Sequence, residues 1–174
     1  MRSTALRLTL PLLLLALCLT LNGCFVFVPA PPPVDTSDLG TPQTFEKAGI
    51  TLHLTNKFKE EQSERGFDAY YTTDYCGVVV LKEPFTLEAG LAERPLEQYI
   101  KNVIENNGHE NIEPQTADGL WYYVNYNNSS YRCVYSYAYK GTDAFYVVQY
   151  IINTQDEETL KPIIHDWAKE TSVK

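Results

Sequence analysis

Six consecutive residues with no charged or hydroxyl-bearing side chain, Cys76-Gly77-Val78-Val79-Val80-Leu81, constrain this chain more than any other stretch. The run is too short to cross a membrane as a helix and is rich in β-branched valine, so it predicts a strand. A strand without polar alternation is covered on both faces, which places it centrally in a sheet between packing layers.

The flanking patterns supply those layers. Ile50-Thr51-Leu52-His53-Leu54 alternates apolar and polar residues, as a half-buried strand does. Residues 60–66 predict a turn and residues 67–73 a second strand. Residues 95–108 predict a helix, because Leu96, Tyr99, Ile100, Val103 and Ile104 recur on one helical face. Pro95 suits the first helical position, and Gly108 suits a left-handed stop. Residues 120–126, 131–139 and 144–153 predict three further strands, joined by polar turns at 127–130 and 140–143.

Thr154-Gln155-Asp156-Glu157 matches a capping box, and Leu160, Ile163, Ile164 and Trp167 form the stripe of a last helix. Pro162 inside that stripe predicts an irregular first turn, with regular helix from near Lys161. The order βββαβββα predicts an α+β domain: an antiparallel six-stranded sheet packed by two main helices. A Gly-x-Asp-Ala-aromatic-Tyr pattern occurs at Gly66 and again at Gly141. A strand follows the first copy and a helix the second, so the pattern reads as shared turn-into-strand chemistry.

Ahead of this domain, Arg2 and Arg7 precede a leucine-rich run from Leu8 to Leu21, the order of an export signal. The run ends in Leu21-Asn22-Gly23-Cys24, which resembles the lipobox of bacterial lipoproteins. The resemblance implies cleavage before Cys24 and diacylglycerol on its thiol. It divides the chain into a leader at 1–23, a Pro-rich tether at 24–44 and a single domain at 45–174. The protein would then be lipid-anchored to the outer, extracytoplasmic face of the cell membrane. An uncleaved anchor over residues 8–28 is the alternative, and plain secretion a third possibility.

Charge narrows the partners. Of 14 basic and 22 acidic residues, 12 and 20 lie from Phe45 onward, leaving the domain at −8. Phosphate contacts dominate nucleic-acid affinity, so such a domain is a poor nucleic-acid binder. Of four cysteines, only Cys76 and Cys133 fall in the domain. Outside the cytoplasm a disulfide between them is permitted, and two separate buried thiols are the other reading.

Catalytic and metal motifs are missing. The chain has no His-Glu-x-x-His, Cys-x-x-Cys or Gly-x-Ser-x-Gly, no calcium loop and no glycine-rich phosphate loop. His53, His109 and His165 are spread over a strand, a loop and a helix. No catalytic residue, metal or cofactor is therefore nominated. The carboxylates read as solvated, and an enzyme with an unsignatured carboxylate site stays a third functional reading. Tyrosine is abundant, with thirteen residues, and Tyr131, Tyr135, Tyr137 and Tyr139 alternate along one strand. With Trp121 and Tyr122 they form either core beneath a helix or an aromatic binding surface for a glycan, peptide or protein.

Gly49-Ile50-Thr51-Leu52, Val78-Val79-Val80-Leu81-Lys82-Glu83 and Lys161-Pro162-Ile163-Ile164-His165-Asp166-Trp167-Ala168 sit in an order that resembles the PsbP-like and DcrB-like lipoprotein domains. That resemblance implies an α/β/α sandwich and a non-enzymatic binding or assembly role. The partner would be an envelope protein or a small ligand. A ligand-binding module using the tyrosine-rich sheet face is the alternative.

Overall fold

The computed structural model describes residues 33–63 and 66–174. Cys24 and the leader lie outside them. No helix among the described residues is long and apolar enough to cross a membrane.

The valine run becomes the core of β5 (Cys76–Pro84), where Val78, Val79 and Val80 are all at most 1 % exposed. It pairs antiparallel with β4 (Ala69–Thr72) on one side and β9 (Ala144–Asn153) on the other. Beyond β9 come β8 (Arg132–Lys140) and β7 (Leu120–Asn127), so the long strands appear as their sequence patterns predict. The two Gly-x-Asp-Ala copies lead into β4 and β9, the two neighbours of β5. Lys82 of β5 meets both, donating its backbone N–H to Asp68 (2.6 Å) and its ammonium to Asp143 (3.0 Å).

The predicted single six-stranded sheet is incorrect. β3 (Lys59–Glu60) and β6 (Gln115–Ala117) extend the main sheet to seven strands, in the order β3-β4-β5-β9-β8-β7-β6. The strand at Ile50 is β2 (Ile50–Thr55) and belongs to a separate three-stranded sheet. Its partners are β1 (Pro42–Lys47) and β10 (Ser172–Val173). The added strands are short or mostly exposed, so hydrophobic alternation does not mark them. Their turns do carry a signal: Ala48-Gly49 and Asp118-Gly119 each place two residues at positive φ, +56° and +92°, then +51° and +82°. Such two-residue turns match the twist of a hairpin.

The tether is also shorter than the sequence implied. Pro42 to Thr44 form half of β1, and Val34 and Leu39 pack on the main core. Val34 donates its N–H to the Asp156 carboxylate at 3.0 Å. Residues from Pro33 onward therefore belong to the folded unit.

Helix α1 (Leu96–Asn106) buries Tyr99, Ile100 and Ile104, as its stripe predicts. Pro95 sits one place earlier than expected, at the extended capping position, and Gly108 takes φ +70°. Helix α2 (Glu157–Glu170) begins four residues before the expected start and runs through Pro162. A short 3-10 turn at Thr154–Asp156 precedes it. Burial of Leu160, Ile164, Trp167 and Ala168 holds the helix despite the bond that proline forfeits. The capping box is not made. Thr154 donates to the Tyr131 carbonyl (3.3 Å), and Glu157 is engaged by tyrosines instead.

These elements give two apolar layers. On one face of the main sheet, Val78, Val80, Tyr135, Tyr137 and Tyr150 pack with α2 and with Leu52 and Leu54 of the small sheet. On the other, Tyr123, Ala138, Phe145 and Val147 pack under α1. Tyr99 lies parallel to Phe145, with ring centroids 4.0 Å apart.

Candidate functional site

Alternation sends every second residue of β5 and β9 to the α1 face, but α1 covers only part of it. Phe145 and Val147 are sealed under the helix, whereas Gly77 and Ile151, further along the same strands, are half-buried and outside that cluster. Here the sheet surface holds a cavity of about 180 Å³, lined by Tyr70, Asp74, Gly77, Arg132, Ile151 and Asn153 among others.

Gly77 forms the notch in this cavity. A β-carbon built there would lie 3.8 Å from the Ile151 Cβ and 3.8 Å from the Tyr70 ring, ordinary contact distances. Its φ is not positive either. Glycine in a strand interior lowers stability and commonly marks a close approach by something else. Neither backbone nor neighbours demand it at this position.

The charged groups at the cavity come from different strands. Arg132 begins β8, and Asp74 sits in the turn between β4 and β5. Two to three strand spacings separate them, roughly 10–14 Å at ~4.8 Å per strand. Among the described residues neither side chain makes an ion pair or hydrogen bond. Lys57 feels the charge of Asp74, but its ammonium is paired to Asp38 at 2.6 Å.

The residues singled out from the sequence fare differently. Cys24 lies outside the described residues. Cys76 and Cys133 are free and buried, and the register excludes a bridge between them. Both face Ile152 of β9 from opposite sides. Their Cα atoms are thus two strands apart, about 9–10 Å, against the ~7 Å limit for a disulfide. Burial pushes the Cys76 thiol well up, and burial with the nearby Glu157 carboxylate pushes Cys133 to about 11. Protonated thiols are poor nucleophiles.

The sign follows from those shifts. Well below pH 9 both thiols are protonated whether the chain is folded or not. Between pH 9 and about 11 the unfolded chain sheds thiol protons that the folded chain keeps, so stability falls as pH rises through that window. We expect the urea midpoint to drop from pH 9 to 11, and maleimide at pH 8 to modify both cysteines only in urea, as read by peptide mass mapping. Modification of either in the native state would contradict their burial.

The aromatic surface is mostly core. Tyr135 and Tyr137 are 1 % exposed and Tyr139 7 %, all beneath α2. The Tyr139 hydroxyl donates to the Ala168 carbonyl at 2.8 Å. Tyr122 stacks on Tyr137 at 5.1 Å, while Trp121, next along the strand, turns to the α1 face. Tyr131 is 76 % exposed in the β7–β8 turn, at φ +53°. These six residues do not share one accessible surface, because alternation along β7 sends its two members to opposite sides.

Two polar clusters rim the α2 face. Glu157 accepts hydrogen bonds from Tyr126 (2.6 Å) and Tyr135 (2.5 Å), and the first raises the Tyr126 hydroxyl to about 12. Asp118 holds Lys169 (3.1 Å) and His165 (3.4 Å), whose other ring nitrogen lies 3.3 Å from the Tyr137 hydroxyl. Lys169 chiefly lowers the Asp118 carboxyl. Both clusters tie α2 to strand ends. Of the residues that line the cavity, the sequence points only to Cys76, and for a disulfide, not for binding. The one further signal was a glycine directly ahead of three consecutive valines.

No protein family matches the chain, and no curated protein matches it. Solved structures do resemble it. The solution structure of cyanobacterial PsbP (CyanoP) from Synechocystis sp. PCC 6803 superposes with a TM-score of 0.53 at 12 % identity, covering 82 % of this chain and 98 % of that one. A point mutant of Mog1 gives 0.48 at 12 % identity, covering 76 % and 96 %. With a seven-stranded antiparallel sheet between two helical layers, the chain has an α+β fold similar to that of cyanobacterial PsbP.

Proposed function

We propose that this chain is a lipid-anchored protein of the outer face of the cell membrane, with a non-enzymatic binding or assembly role. The observation that carries the anchor is the Leu21-Asn22-Gly23-Cys24 order behind an arginine-led apolar run. Cys24 would take diacylglycerol, and two acyl chains at ~0.8 kcal/mol per buried CH₂ give stable attachment. The Gly49, Val78 and Lys161 stretches support the finer reading, a lipoprotein domain of the DcrB-like kind. The partner is a small ligand or an envelope protein, and the acidic domain disfavours nucleic acid.

The binding half of the proposal draws on the open cavity beside Gly77. It replaces the tyrosine face as the candidate surface, because Tyr135, Tyr137 and Tyr139 are buried. Metabolic labelling with palmitate tests the anchor. Label is expected in the wild-type chain and absent from Cys24→Ser, with that variant shifting from the detergent phase to the aqueous phase. Unlabelled wild type, or a Cys24→Ser variant that still partitions with membranes, would overturn it. Co-purification from detergent extracts separates the two roles: a stoichiometric protein partner favours assembly.

A further inference from the structure

We infer that the cavity beside Gly77 binds a small zwitterion, an α-amino acid with an aliphatic side chain. Arg132 takes its carboxylate, Asp74 its ammonium, and the Gly77 notch its side chain. The inference rests on the binding reading of this site, not on the lipid anchor.

Gly77 is the first observation. It directly precedes three consecutive valines in β5, a setting in which β-branched residues are favoured. Its φ lies outside the left-handed region, and a β-carbon there would meet its nearest neighbours at an ordinary 3.8 Å. The fold therefore does not explain the glycine. What the missing β-carbon leaves is a shallow notch between the Tyr70 ring and Ile151.

Charge is the second. Asp74 and Arg132 sit at the same cavity without partners among the described residues, and they do not pair with each other. A guanidinium offers paired N–H donors that match a carboxylate, and a carboxylate accepts from an ammonium. A ligand carrying only an anion would leave Asp74 as a repulsive neighbour. A zwitterion satisfies both.

Size is the third. A cavity of about 180 Å³ is below the ~300–1,000 Å³ of pockets that hold drug-sized ligands. It is too small to enclose a nucleotide or a disaccharide. It suits a molecule of about ten heavy atoms, with Asn153 and Thr72 as neutral hydrogen-bonding walls.

Isothermal titration calorimetry on the full chain in detergent micelles tests this, with valine and leucine as probes. Isovalerate, which lacks the ammonium, and isobutylamine, which lacks the carboxylate, serve as controls. Saturable binding of an amino acid is expected, with each control at least tenfold weaker. Arg132→Gln and Asp74→Asn should each weaken the amino acid tenfold or more. Gly77→Val should abolish binding while leaving the thermal midpoint unchanged or raised, which separates a filled slot from a damaged fold.

Equal binding of isovalerate with a silent Asp74→Asn would overturn the zwitterion and leave the binding reading standing. Amino-acid binding that survives Gly77→Val would overturn the site itself. Absence of any heat up to millimolar amino acid would overturn the ligand class. In that case a protein partner lost on Gly77→Val would show that the surface binds something else.

Discussion

Trp167→Ala is expected to destabilise the domain by about 3–5 kcal/mol, the range for emptying a buried indole. Trp167 lies on the inner side of α2 at 7 % exposure. Its ring meets Phe58 edge-on at 5.4 Å and lies over Tyr150 at 6.2 Å. Phe58 follows the small sheet, and Tyr150 belongs to β9 of the main sheet. One side chain therefore fills the space where α2, the small sheet and the main sheet converge. Its loss leaves a cavity bordered by rigid β-structure on two sides, which cannot collapse to fill it. Chemical denaturation with fluorescence or circular dichroism reads the effect as a lower midpoint at an unchanged slope. A loss under 1 kcal/mol would show that α2 is not pinned there.

Gly141→Ala is the second large effect, and its cause is steric. Gly141 does not need a positive φ, but a β-carbon there would lie 2.2 Å from the Lys174 carbonyl oxygen and 3.1 Å from the Tyr146 ring. The first of these is backbone held in place. Lys174 O accepts from the Thr142 N–H at 2.7 Å, and Lys174 N donates to the Gly49 carbonyl at 3.0 Å. Between α2 and that residue runs β10, paired with β2 through Ser172 and Val173. An added methyl must therefore push the 172–174 segment off the β9 turn. At about 1 kcal/mol per hydrogen bond, losing these contacts costs roughly 2–4 kcal/mol. Raised amide exchange at Thr142, Ser172 and Lys174 would accompany it. A Gly141→Ala protein with wild-type exchange at those three amides would contradict the geometry.

The contrast with Gly77 is instructive. Both glycines sit outside the left-handed region, so backbone freedom explains neither. At Gly141 a neighbouring carbonyl fills the space a side chain would need. At Gly77 a β-carbon would meet only side chains at ordinary contact distance, which is why it, and not Gly141, points to a ligand.

Local pattern determined a good deal here. The valine run at 78–80 could only be a covered strand, and the helical stripe from Leu96 to Ile104 had one buried face available to it. Those features depend on neighbours within a few residues, and periodicity records them directly. The leader and Cys24 are likewise a linear pattern, and their reading as an anchor stays a matter for labelling.

Tertiary structure decided the rest. Strands of two or three residues, such as Lys59–Glu60 and Ser172–Val173, exist only because a longer strand offers an edge to pair with. The sorting of β2 into a second sheet depends on which strand it meets, a long-range choice that alternation cannot encode. Pairing also set the fate of the cysteines, since both Cys76 and Cys133 are registered to Ile152 and held two strands apart. Tyrosines are equally at home in a core and on a surface, so only the placement of α2 settled that Tyr135 and Tyr137 are interior. The cavity follows the same rule. Tyr70, Gly77, Arg132 and Ile151 come from four strands, and their proximity is a property of the folded sheet alone.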